Sequence, residues 1–343
     1  MPTYKLSYFE GRGLAEVSRQ ILHLSGTPFV DNRISFEKWP KIKPYTPFGQ
    51  IPILCVNGEE IPQSFAIARY LAKEFGFAGK TPFEAAWVDA LGDQHKDYMN
   101  EIKLFLAVAH GYAKGDKAQM QRDVAEPAIE KYYTILEKQA KSNGSNGHFV
   151  GDSLTWIDLV VSDHIGILET LIPNAVDSFP LVQAVRQKTT SHPKLKEWID
   201  KRPESWSLVK FCTYPELRSR TIESPWRRFA GKTAFEAAWL DALGDQYKDY
   251  NTEMSSFWGV AYGFVDGDKE KLQKDVADNG SNGHFVGDSL TWVDLFVSDH
   301  IGGLETLIPH AVDAFPLVQE VRKKTTSLPK LKEWLDKRPA TAF

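Results

Sequence analysis

The chain has 343 residues, more than one compact core usually holds, so two or more domains are expected. Hydrophobic residues make up 42% and charged residues 25%, the balance of a soluble globular protein, and a net charge of −4 excludes nucleic-acid binding through a broad basic surface. Cys55 and Cys212 allow one bridge but no disulfide framework, and no stretch of about 18 uncharged apolar residues suggests a membrane span.

The opening MPTYKLSYFEGRG has no apolar core of signal-peptide length, so a cytoplasmic location is expected. YKLSYF is rich in strand formers. Gly13–Ser25 reads as a helix with Leu14, Val17, Ile21, Leu22 and Leu24 mostly on one face. PFVDNRI reads as a second strand. IPILCVNGEEIP reads as two strands about Asn57-Gly58, a dipeptide suited to a tight hairpin turn. Gln63–Phe75 then reads as a helix, which completes a small mixed α/β domain over 1–76.

From Pro82 the pattern is helical: Pro82–His110, Asp116–Lys141, Thr155–Glu169, Pro180–Thr190 and Pro193–Lys201. These define an all-α domain over 77–203, and the chain as a whole reads as α+β. Thr155 and Asp158 stand three apart before an apolar run, the spacing of a capping box. Thr291 and Asp294 repeat it.

That repetition is part of a longer one. Residues 77–125 match 229–277 at 31 of 49 positions, an offset of 152, and 142–203 match 278–339 at 52 of 62, an offset of 136. The difference of 16 is the segment EPAIEKYYTILEKQAK, 126–141, which has no equivalent in the second stretch. The helical domain is therefore duplicated, with a 25-residue linker (204–228) and a partial second copy (229–343) short of about four helical turns.

YKLSYFEGRG, DNRISFEKWPKIKPYTPFGQIPIL, IPQSFAIARYLAKEFG, ALGDQHKDY and GDSLTWIDL follow in order over Pro2–Pro203. This set resembles the cytosolic glutathione transferases, most closely the sigma class with its nematode-type enzymes and glutathione-dependent prostaglandin D synthases. The resemblance implies a thioredoxin-like domain that binds glutathione, a helical domain behind it, and conjugation of the glutathione sulfur to small hydrophobic electrophiles in detoxification. Peroxidase and prostaglandin isomerase activities fit the same cleft. A homodimer is implied, and glutathione is a co-substrate rather than a resident cofactor.

The reaction needs glutathione as thiolate, whereas a thiol of ordinary pKa, about 8.5, is mostly protonated at neutral pH. Lowering that pKa by about two units takes about 2.7 kcal/mol, and one hydrogen bond to a charged acceptor supplies about 1.5–3 kcal/mol. A single hydroxyl comes close to sufficing. The resemblance gives this role to Tyr8. It gives the cysteinyl backbone of glutathione to Ile51 before a cis Pro52, and the γ-glutamyl carboxylate to Gln63 and Ser64 at a helix start, where a simple cap is equally compatible. Trp39 and Lys43 meet the glycine carboxylate, Gln50 lines the groove, and Asp97 reaches across the dimer to the ammonium group. Phe9, Met99 and Leu104 are candidates for the hydrophobic substrate, with core packing an equal reading of the last two.

One departure stands out. The family has a thiolate-supporting arginine shortly after the tyrosine, and this chain has Leu14 there, with Arg12 nearby in a structural role. His23, His95, His110, His148, His164 and His192 show no metal-ligand spacing, no phosphate-binding glycine motif occurs, and no metal site is expected. The second copy carries Asp249 in the place of Asp97 but no equivalents of Tyr8, Trp39, Lys43 or Gln63. No glutathione site of its own is expected. A binding protein that holds glutathione or apolar ligands without turnover is the alternative.

Overall fold

The structure, a computed structural model, describes residues 2–111, 113–202, 292–307, 312–313 and 315–337. The expected linker over 204–228, Cys212 and Asp249 lie outside the described residues. The chain divides into two compact units, Met1–Arg218 and Ser219–Phe343.

In the first unit β1 (Tyr4–Phe9), β2 (Phe29–Ile34), β3 (Ile53–Val56) and β4 (Glu59–Pro62) form one sheet in the order β2-β1-β3-β4. β1 and β2 are parallel and joined through α1 (Glu16–Ser25), whereas β3 is antiparallel to β1 and β4. Alternation buries Tyr4, Leu6 and Tyr8 along β1. Asn57 (φ 54°) and Gly58 (φ 94°) make the expected turn with two positive φ angles. A short helix, α2 (Trp39–Ile42), precedes β3, and α3 (Ser64–Phe75) follows β4 and packs on α1. This is the expected thioredoxin-like domain.

The helical domain runs through α4 (Pro82–Glu101), α5 (Lys103–Ala109), α6 (Lys117–Met120), α7 (Glu126–Ser142), α8 (Trp156–Leu171), α9 (Pro180–Thr190) and α10 (Pro193–Lys201). Its core is α8, whose Trp156, Ile157, Leu159, Val161, Ile165 and Leu168 are buried. The capping box forms: Asp158 Oδ2 accepts from Thr155 N–H (2.8 Å) and the Thr155 hydroxyl (3.0 Å), while Oδ1 takes Phe149 N–H (3.0 Å).

Two expectations need correction. The helix expected over Pro82–His110 breaks at Ile102 (φ −89°, ψ 0°), which lets Ile102 and Phe105 both bury while Lys103 and Leu104 stay exposed. The helix expected over Asp116–Lys141 carries a π turn, Gln121–Ala125, ahead of Pro127. Proline offers no N–H to the carbonyl four residues back and its ring crowds it, so the chain widens there.

In the second unit α11 (Trp292–Leu307), α12 (Pro316–Thr326) and α13 (Pro329–Lys337) have the bounds of α8, α9 and α10 shifted by 136. Local contacts recur with them. Gln183 Nε2 donates to Val176 O at 3.0 Å and Gln319 Nε2 to Val312 O at 3.2 Å, and the Arg186–Glu169 ion pair reappears as Arg322–Glu305.

Candidate active site

The sheet gathers the candidate residues at one end. Ser7 pairs with Ile53, and Ile53 with Pro62, so continuing both registers by one residue brings Tyr8, Pro52 and Gln63 level across three strands. Phe9, Ile51 and Ser64 come level one step further. β2, parallel to β1 with Phe9 opposite Ile34, leaves the sheet at the same end and leads to Trp39 and Lys43.

Tyr8 is buried, with its ring edge-on to Phe9 at 5.5 Å. Phe9 stacks on Phe36 at 4.6 Å and meets Trp39 edge-on at 5.6 Å. Phe9 and Trp39 are thus largely enclosed and form an aromatic backing for Tyr8. The Tyr8 hydroxyl accepts a hydrogen bond from Leu14 N–H at 3.3 Å. Burial pushes the phenol pKa up, while that N–H and the charge of Arg19 pull it back. Gly13 makes the approach possible: its φ is +43°, and a Cβ there would stand 2.6 Å from Tyr8 Oη.

Leu14 is 57% exposed, so a hydrocarbon side chain stands where the resemblance has a cation. Arg12 points elsewhere, to Asp163 on α8 at 3.3 Å.

The Ile51-Pro52 bond is cis. Gln63 takes φ +68° at the start of α3 and does not cap it, and Ser64 is the first helical residue. The first turn of α3 therefore has no side-chain cap. Gln63 Nε2 instead donates to exposed Gln50 Oε1 at 3.2 Å. Lys43 is half-buried and lies along Gly49.

Phe65 lies 6.3 Å from His95, ring to ring, and Arg69 pairs with Asp89 and Asp93, so the start of α3 faces the C-terminal half of α4. Asp97 and Met99 sit there, half-buried. Leu104, beyond the break at Ile102, is 52% exposed.

Sequence reasoning missed Gly13 and Arg19. Arg19 is fully buried on α1, in register with buried Ala15 and Leu22 at spacings of four and three. An arginine on that apolar stripe was the available signal.

Family models match two stretches of the chain. Residues 4–73 match the model described as glutathione S-transferase, N-terminal domain, and 100–202 with 269–338 match glutathione S-transferase, C-terminal domain. Glutathione S-transferase 1 of Ascaris suum is 45% identical over 205 residues, 60% of this chain and 99% of that protein. Among solved structures, the monomeric Na-GST-3 of Necator americanus is 47% identical with a TM-score of 0.58, covering 59% of this chain and 98% of that one. Prostaglandin synthase D of Nilaparvata lugens is 34% identical with a TM-score of 0.53, covering 59% and 99% respectively.

Proposed function

The chain belongs to the glutathione S-transferase family and is a glutathione transferase, and from that premise we propose that Tyr8 donates a hydrogen bond to the glutathione sulfur and holds it as thiolate. The observation that carries this is the bond from Leu14 N–H to Tyr8 Oη. It fills an acceptor position on the phenol and leaves the phenol's own proton for an incoming sulfur. The thiol proton passes to solvent, the sulfur electron pair forms the bond to carbon of a hydrophobic electrophile, and the leaving group departs with its electron pair. No general base is required once the sulfur is ionised.

The remaining roles follow the positions around that phenol. The uncapped start of α3 at Gln63 and Ser64 takes the γ-glutamyl carboxylate, which the positive helix end favours. Ile51, beside cis Pro52, pairs its backbone with the cysteinyl unit like an added strand. Trp39 and Lys43 hold the glycine carboxylate, and Gln50, tied to Gln63, lines the groove. Phe9, Met99 and Leu104 border the hydrophobic substrate. Asp97 serves the ammonium group across a homodimer, which light scattering of the full chain would reveal. The monomeric Necator americanus relative is the counter-precedent.

We place the protein in the sigma class, supported by 45% identity to the Ascaris suum enzyme and 34% to the prostaglandin synthase D; a Nu-class enzyme of Haemonchus contortus, 48% identical, stands for the competing class. The domains are 1–76, 77–203, a linker 204–228, and a partial duplicate of the helical domain over 229–343, supported by the split C-terminal match. No described helix is long and apolar enough to cross a membrane, and we assign the protein to the cytoplasm.

Tyr8→Phe tests the mechanism. The ultraviolet thiolate band of bound glutathione should titrate about two pH units higher, and turnover with an aromatic electrophile at pH 7 should fall about 25-fold. Glutathione affinity should stay within about twofold. Unchanged turnover would overturn the assignment of Tyr8.

A further inference from the structure

Behind the Tyr8 ring lies a group that the reaction itself does not use. Arg19 is 0% exposed. Its Nη1 donates to Gly11 O (2.9 Å) and Arg12 O (3.3 Å), its Nη2 to Phe9 O (3.3 Å), and its Nε to Asp31 Oδ1 (3.0 Å). Its guanidinium carbon stands 5.9 Å from the centre of the Tyr8 ring. Three of the four carbonyls of Phe9–Arg12 are therefore held by one planar cation. The next two residues are Gly13, which the phenol grazes, and Leu14, whose N–H the phenol accepts.

A fully buried arginine is costly unless its donors are satisfied and its charge is balanced. Here Glu16 on α1 (3.6 Å) and Asp31 on β2 balance it. Arg33 lies behind Asp31, and Arg202, just past the end of α10, lies behind Glu16. A lysine could balance the charge, but its single nitrogen cannot reach Asp31 and several carbonyls in this forked geometry.

We propose that Arg19 is a positioning residue for conjugation: it fixes the Phe9–Leu14 loop so that Leu14 N–H stays aimed at the Tyr8 oxygen, and it stands as a fixed positive charge behind the Tyr8 ring. This rests on the reading of Tyr8 as the thiolate's hydrogen-bond donor. The guanidinium field makes the phenol a better donor, in the direction opposite to the effect of burial.

The experiment is a double-mutant cycle on the full chain, with Arg19→Lys and Tyr8→Phe alone and together, and Asp31→Ala as a milder way to loosen Arg19. Folding is checked by circular dichroism. Arg19→Lys should move the thiolate band of bound glutathione up by about one pH unit, from about 6.5 to about 7.5, which is about threefold less thiolate at pH 7, and lower kcat/KM about threefold. KM for glutathione should hold within about twofold. Asp31→Ala should shift the band in the same direction by about half a pH unit, and it carries the test if Arg19→Lys does not fold. In the Tyr8→Phe background neither change should move the band further. A shift that is equal in both backgrounds, or a wild-type titration in every folded variant at residues 19 and 31 while Tyr8→Phe alone is displaced, overturns the proposal. If Tyr8→Phe itself titrates as wild type, it is the Tyr8 reading that fails.

Discussion

A methyl group at residue 13 would collide with the phenol that the neighbouring amide aims. Gly13 combines a positive φ with a Cβ position 2.6 Å from Tyr8 Oη and 2.9 Å from its Cε1, so alanine there is strained twice over. Gly13→Ala should cost about 1–2 kcal/mol in a urea unfolding curve and lower turnover more than tenfold by displacing the Tyr8 ring. Retained turnover would show that the loop has another conformation open to it. Little of this was legible from residue types alone. Tyr8 on a strand reads first as a packing residue, and it was the family motif around it that singled it out. Gly13 reads in the sequence as the start of a helix, Gly13–Ser25, because sequence does not reveal that a distant ring closes over it. Leu14 was legible as a departure; its exposure was not.

Helices were legible wherever apolar spacing and end signals agreed, as at Thr155–Asp158, and illegible where a long apolar pattern concealed a break, as at Ile102. The pattern also hid what helices ask of one another. Gly92 on α4 lies so close to Trp156 that an added Cβ would stand 2.1 Å from the indole, so Gly92→Ala should cost about 1–3 kcal/mol in thermal or urea unfolding. Glu137 on α7 accepts from Leu181 N–H and Val182 N–H, all at 3.0 Å, and so caps α9 from a neighbouring helix. Between α4, α7 and α8 the buried core is polar: His95 Nδ1 meets Tyr132 Oη at 2.8 Å and His164 Nε2 meets Tyr98 Oη at 3.2 Å. Burial drives the His164 pKa from an ordinary 6.5 to about 4 and lowers that of His95 as well. With folded pKa values below the unfolded ones, the unfolded chain takes up protons first. Stability present above about pH 6.5 should therefore be lost as the pH falls toward 4. Urea midpoints at pH 7 and pH 5 measure this, and a His95→Phe, His164→Phe double variant should flatten the difference. An equal fall in that variant would assign the acid sensitivity to other groups.

At the scale of the whole chain, the missing segment 126–141 has a structural meaning. In the first unit α7 buries Ala128, Ile129, Tyr132, Tyr133, Leu136 and Ala140 and supplies the Glu137 cap. The second stretch has no sequence aligned with any of these, including the helix that α9 packs against in the first unit. Limited proteolysis should cut within 229–343 before it cuts within 82–203, and a chain ended at Pro203 should keep the conjugating activity; the reverse order of cleavage would contradict this. The sequence repeat is legible because identity survives between its two stretches, whereas the weight that α7 carries in the first unit emerges only from its packing. The end of α10 fixes where the catalytic module can be severed. Glu16 Oε1 accepts from Trp198 Nε1 at 2.8 Å and Arg202 Nη1 at 2.7 Å, and Arg202 also reaches Asp163 at 3.1 Å. A shorter splice would strip Arg202 from both interior carboxylates, leaving Glu16 to Arg19 and Asp163 to Arg12 alone. One made just beyond Arg202 keeps every one of these contacts, and so leaves the lock between α1 and α10 shut.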